Sequence, residues 1–105
     1  MKTINTSELT GAALNWAVAK CEGVDGLFEA YEVGRHHYST YWAQGGPIIE
    51  REKIATDWSG ENDWCASCDT NPTRIFSAAT PLIAAMRCYV ASKLGDTVDV
   101  PTELL

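Results

Sequence analysis

Cys65-Ala-Ser-Cys68 has the spacing of a zinc-ligand pair, and His36-His37 could in principle complete a tetrahedral nitrogen and sulfur set. A single C-x-x-C without a second is a weak signal, and on a hairpin the two thiols need not face a common point with His36. Buried or surface thiols are therefore expected, with no metal and no cofactor. A redox role has less support still, because the pair does not open a helix after a strand. His36 and His37 are of the residue type most often used for general acid or base work. Adjacent side chains in an extended loop diverge, however, and no Ser, Cys or carboxylate partner stands at a diagnostic spacing, so an enzyme is not the expectation.

The stretch Tyr38-Ser-Thr-Tyr-Trp-Ala-Gln-Gly-Gly-Pro-Ile-Ile-Glu-Arg-Glu52 is richer. Its aromatic residues offer stacking faces and Gln44 offers an amide donor and acceptor. Gly45-Gly46-Pro47 at a helix start would leave N–H groups and a helix dipole facing an anion, although Pro47 supplies no donor and the Lys-Ser/Thr pair of a phosphate loop is absent. A plain tight turn fits those three residues about as well. The candidate ligand-binding set is Tyr38, Ser39, Tyr41, Trp42, Gln44, Gly45 and Gly46, with Arg51 and Arg74 as anion partners. For either arginine alone, a surface ion pair of little energetic weight is the simpler reading. Trp58 and Trp64 read as core or oligomer interface, since cross-strand aromatics stabilise sheets.

The composition narrows the classes. The chain has 105 residues, a formal charge of −6 and 46% hydrophobic content, which suits one domain over 1–105 with one core. The acidic balance disfavours duplex nucleic acid, which needs a basic footprint. Arg35, His36, His37, Arg51, Arg74 and Arg87 could still gather around one small anion. The first residues, Met-Lys-Thr-Ile-Asn, lack the apolar run of a signal peptide, and no segment approaches the ~20 apolar residues of a membrane span. A soluble cytoplasmic protein with reduced cysteines is expected.

The elements that would position these residues follow from capping and periodicity. Thr10 caps a first helix with Leu14, Ala17, Val18 and Cys21 on its core face and Gly23 at its end. Trp16 lies off that stripe, placed to cover a neighbour or line a cleft. Val24 to Val33 reads as a strand, and Gly34 to Trp42 as a polar-aromatic loop. Pro47 at the first helical position opens a short helix of about two turns. Ile54, Thr56 and Trp58 alternate, as do Trp64, Ala66 and Cys68 after a turn at residues 59–63, so a hairpin is expected. Asp69 to Thr73 reads as loop and Arg74 to Phe76 as a short strand. The last helix has Thr80 as cap, Pro81 at its first position, a buried stripe of Ile83, Met86, Val90 and Leu94 widened by Leu82 and Tyr89, and Gly95 at its end. Val98 to Val100 adds a strand that Pro101 stops. The fold class is α+β, a small antiparallel sheet of three or four strands packed by two main helices plus a short third helix.

Glu8-Leu-Thr-Gly-Ala-Ala-Leu-Asn-Trp-Ala-Val-Ala-Lys20, Trp42 to Glu52 and Thr80-Pro-Leu-Ile-Ala-Ala-Met-Arg-Cys-Tyr-Val-Ala-Ser-Lys-Leu-Gly-Asp96 together resemble the small NinX-type proteins of tailed phages and prophages. The resemblance implies a viral accessory protein in the cytoplasm of an infected or lysogenic bacterium. It brings no catalytic residues to transfer. The expected role is non-enzymatic binding, with sequestration of a small anionic, nucleotide-derived immune signal as its sharper form and homo-oligomers that could form pockets between chains. The alternative is a protein-interaction module acting on a host or phage replication or transcription factor.

Overall fold

The computed structural model describes residues 1–23, 36–68 and 71–105. The expected strand at Val24 to Val33 and the start of the following loop lie outside the described residues, as do residues 69 and 70. In chain order the elements are β1 (Lys2–Asn5), α1 (Gly11–Cys21), α2 (Trp42–Glu52), β2 (Ile54–Gly60), β3 (Asp63–Cys68), β4 (Asn71–Ala78), α3 (Pro81–Leu94) and β5 (Thr97–Val100). Single 3₁₀ turns follow β1 and β5, at Thr6–Glu8 and Thr102–Leu104.

The expected α+β class holds, with three helices and antiparallel strands among the described residues. The strands divide into two sheets rather than one. β2, β3 and β4 form a meander, while β5 pairs with β1 in a separate ladder, Lys2 opposite Val100 through Asn5 opposite Thr97. The N-terminal strand carries no sequence signal strong enough to stand alone, because four residues are too few for periodicity; its β5 partner and the Thr6 contacts define it. Thr6 donates its N–H to the Asp96 carbonyl at 2.7 Å and its hydroxyl to the Gly95 carbonyl at 2.7 Å.

α3 is the axis of the molecule. Its cap is the expected one: the Thr80 hydroxyl accepts the Ile83 N–H at 3.1 Å, and Gly95 ends the helix at φ +93°. Leu82, Ala84, Ala85, Met86, Cys88, Tyr89, Val90 and Ala91 are all buried, because α1 packs on one side of α3 and the three-stranded sheet on another. The amphipathic stripe expected from sequence is too narrow for a helix covered on several sides, and Leu94, placed in that stripe, is exposed at the helix end. Trp16 is likewise buried, at 6% exposure, rather than lining a cleft. Arg87 reaches out from α3 to two carbonyls, Leu9 at 2.7 Å and Ser77 at 2.8 Å, and so ties the start of α1 to β4.

The hairpin of β2 and β3 forms as expected, with Ile54 opposite Cys68, Thr56 opposite Ala66 and Trp58 opposite Trp64. The residues in that register share the face turned to α3, continued by Phe76 and Ala78 of β4. Ile54, Ala66 and Phe76 are buried there, but Trp58 is 67% exposed and is not core. The short strand expected at Arg74 extends over all of β4.

The largest correction concerns the third helix. It begins at Trp42, with Tyr41 as its cap residue, rather than after Gly46; Gly45 and Gly46 lie inside it and Pro47 is an interior residue. The Tyr41 carbonyl accepts the N–H groups of both Gln44 and Gly45 at 3.0 Å, which starts the helix ahead of the glycines. Pro47 removes the bond that would reach back to Ala43, and Ala43 is exposed, so water can satisfy its carbonyl.

Candidate functional site

The loop that enters α2 is fixed by polar side chains. The N–H and hydroxyl of Ser39 both donate to Asn15 Oδ1, at 3.0 and 2.8 Å, and both residues are buried. Gln44 Oε1 accepts the His37 N–H at 2.6 Å. Tyr38 stacks on His36 with ring centres 5.6 Å apart, and its hydroxyl lies 3.2 Å from His36 Nδ1. Burial, with a smaller effect from the Glu22 carboxylate, raises the Tyr38 pKa.

Gly45 is a close-approach glycine. A Cβ at that position would lie 2.3 Å from the Tyr38 carbonyl oxygen and 2.6 Å from Leu82 Cδ1, so only hydrogen fits between the loop, α2 and α3. At Gly46 the nearest atom to such a Cβ is Trp42 Cε3 at 3.9 Å. Of two adjacent glycines, only the first is dictated by packing.

With the loop so fastened, Tyr41 and Trp42 stand out from the surface, 55% and 56% exposed. Tyr41 stacks on His37 at 4.5 Å between ring centres. Trp42 borders a groove of about 180 Å³, lined also by Ser39, Thr40, Thr80, Pro81, Leu82 and Ile83. None of these lining residues is charged. Two helices start at this groove, since Trp42 opens α2 and Pro81 opens α3. The N–H groups of Trp42, Ala43 and Leu82, being in first turns, have no intrahelical acceptor.

The two arginines lie elsewhere. Arg51 sits nine residues further along α2, roughly 13 Å at the helical rise. It grips Glu22 with both terminal nitrogens, Nη1 at 3.0 and Nη2 at 2.6 Å, and Glu52 through Nε at 2.8 Å. The buried Tyr89 completes this clasp: its hydroxyl donates to Glu22 at 2.5 Å and accepts from Arg51 at 3.2 Å, and Lys93 lies 3.5 Å from Glu52. The Arg51 hydrogen bonds hold the Glu22 and Glu52 carboxyls below their ordinary pKa, while burial and the Glu22 bond hold the Tyr89 phenol above its own. Arg74, on β4, is paired with Asp96 and packs over Phe76. It borders a separate open depression of about 500 Å³ with Asn5, Ser7 and Ser77. The candidate set thus divides into Ser39 and Trp42 at the groove, Tyr38, Tyr41, Gln44, Gly45 and Gly46 in the loop and helix start that carry them, Arg51 in the clasp, and Arg74 beside β1. Of the wider basic group, Arg87 is bonded to carbonyls and Arg35 lies outside the described residues.

The cysteine pair does not converge. Cys65 lies beside Ser59 and Ser77, with its sulfur 2.9 and 3.7 Å from their hydroxyls, whereas Cys68 shares the α3-facing register with Ile54. Three residues apart on one strand, they occupy opposite faces. Among the described residues no group of three or more His, Cys, Asp or Glu could hold a metal ion. Cys88 is buried on α3, and burial pushes its thiol up to about 12.

Sequence reasoning passed over Asn15, Glu22 and Tyr89, which fasten the loop and the clasp, and Thr80 to Ile83, which form the far wall of the groove. Asn15 gave a signal in retrospect: it is the one polar residue in the otherwise apolar run from Ala13 to Ala19.

Residues 5–93 match the family model described as Bacteriophage P22, NinX. No curated protein matches the chain. Among the described residues no helix is long and apolar enough to cross a membrane.

Proposed function

The chain belongs to the bacteriophage P22 NinX family, and from that premise we propose that it is a non-enzymatic phage accessory protein that docks a host or phage protein through the Trp42 groove. The observation that carries this reading is the half-exposed indole of Trp42, held over an uncharged groove by a loop that hydrogen bonds from Ser39 to Asn15 and from His37 to Gln44 fasten in place. Solvent-exposed Trp set beside a small pocket is the composition of an interface anchor. A groove of about 180 Å³ accepts one side chain or one planar ring; pockets that enclose a whole small molecule run to roughly 300–1,000 Å³. A partner acting in replication or transcription, in the bacterial cytoplasm, agrees with an acidic accessory protein that has no basic footprint of its own.

A second reading is sequestration of a nucleotide-derived immune signal. It is supported by the two helix starts at the groove, which favour negative charge next to a ring stacked on Trp42. The engagement of Arg51 and Arg74 elsewhere weighs against it, because neither guanidinium is at the groove to pair with a phosphate.

Affinity capture from infected cells with the wild type and Trp42→Ala, alongside thermal shift with cyclic and linear nucleotides, separates the two. Docking predicts a protein captured by the wild type and lost by the folded variant, with no nucleotide response. A Trp42-dependent rise in melting temperature with one nucleotide favours sequestration. Equal capture by both proteins, with no nucleotide response, removes the groove from the function altogether.

A further inference from the structure

β2 is an edge strand of the meander, and among the described residues only β3 pairs with it. Natural edges are blunted by lysine, proline, bulges or a cover. The opposite edge has Pro72 within β4. In β2 the residues from Ile54 to Trp58 run in regular register with β3, and the irregularity comes only after Trp58. Lys53 stands just before the strand in the left-handed region, at φ +54°. Asp57 is thus the single charge on a five-residue edge. Trp58, on the apolar side of the sheet, is 67% exposed because α3 does not cover it.

We propose that this edge pairs antiparallel with the same edge of a second copy of the chain, about a two-fold axis at Thr56, joining two meanders into a six-stranded sheet. The register follows from the residues. Centred on Thr56, Ile54 stands opposite the second copy's Trp58 on the apolar face, and Ala55 stands opposite its Asp57 on the other. A β-branched residue facing an aromatic one is a favourable cross-strand pair. Centring on Asp57 instead places two carboxylates directly opposite each other and runs into the irregularity at Ser59. Centring on Ala55 needs Lys53, which has left the strand conformation, and strands Trp58 beyond the ladder. Shifting by half a step turns the apolar side of one copy to the polar side of the other. Only the Thr56 axis uses all five regular residues, keeps both apolar faces on one side and separates the aspartates.

The test is sedimentation equilibrium of the full chain with two variants at an exposed position, Ala55→Asp and Ala55→Lys, each checked for unchanged fold by circular dichroism. The wild type is expected to show a concentration-dependent dimer. Ala55→Asp faces Asp57 of the second copy twice in the symmetric pair and should weaken association about tenfold. Ala55→Lys makes two opposite-charge pairs and should associate at least as tightly as the wild type. A wild type that is monomeric at every soluble concentration overturns the proposal. So does a pair of folded variants that associate alike.

Discussion

The two ends of α2 carry residues of equally functional appearance and put them to different uses. At the C-terminal end, Arg51 is joined to Glu22, Glu52 and Tyr89 in a clasp in which every group has a partner. At the N-terminal end, Ser39 and Gln44 fasten the loop by hydrogen bonds to Asn15 and His37, yet Tyr41 and Trp42 are left facing solvent beside a groove. A charged cluster with complete internal bonding explains itself as structure. An exposed indole, supported on a fixed base and bonded to nothing that needs it, does not. The comparison teaches that unspent surface, more than charge, separates a site from a scaffold.

The sharpest way to break that division is at the shared scaffold. Gly45→Ala should destabilise the protein by about 2–3 kcal/mol in chemical denaturation, because overpacking against the Tyr38 carbonyl and Leu82 outweighs the helix preference of alanine. Tolerance of alanine there would mean that the loop is not seated on α2 as described.

Next in size is the clasp. Tyr89→Phe removes the hydroxyl that donates to Glu22 and should cost about 1–2 kcal/mol. Its pH dependence has a definite sign. Glu22 has a folded pKa below its ordinary 4.5, so its contribution is complete above that value and is lost as the pH falls through the lowered folded pKa. Unfolding curves should therefore converge for wild type and Tyr89→Phe in strong acid and differ near neutrality. Curves that stay equally separated at both ends would show that the hydroxyl contributes independently of the Glu22 charge, and curves that coincide throughout would show that the tyrosine acts by packing alone.

Gly46→Ala should fall within about 1 kcal/mol of the wild type, since the gain in helix preference is offset by crowding against the Pro47 ring. The smallest expected stability effect, within about 0.5 kcal/mol, belongs to Trp42→Ala, the same variant expected to lose partner capture. A large loss of stability at Trp42 would move it from the surface class to the core and end the contrast between the two ends.

Much of this architecture was legible in the sequence where local chemistry decides it. Thr80, Pro81 and Gly95 mark α3 by capping rules that need no tertiary context, and the alternation in Ile54 to Trp58 and Trp64 to Cys68 gives the hairpin its register. The start of α2 was not legible. Pro47 is an ordinary first-turn residue by statistics, and what places it in the interior is the Tyr41 carbonyl together with a glycine demanded by Leu82, nearly forty residues away. The separation of β5 from the meander was hidden for the same reason, because its partner β1 lies at the other end of the chain. Tyr38 to Gly46 was legible as unusual, but not which members hold the loop and which are left exposed. That division depends on Asn15, whose place in an apolar run hints at burial but does not say which loop residue it holds.

Because α2 rests on the Tyr38 carbonyl through a glycine, backbone against backbone, the loop keeps its place whatever side chains stand at positions 41 and 42. Exchange of those two residues is therefore expected to change the chemistry of the exposed tip at little risk to folding, with the mount that carries it left as it is.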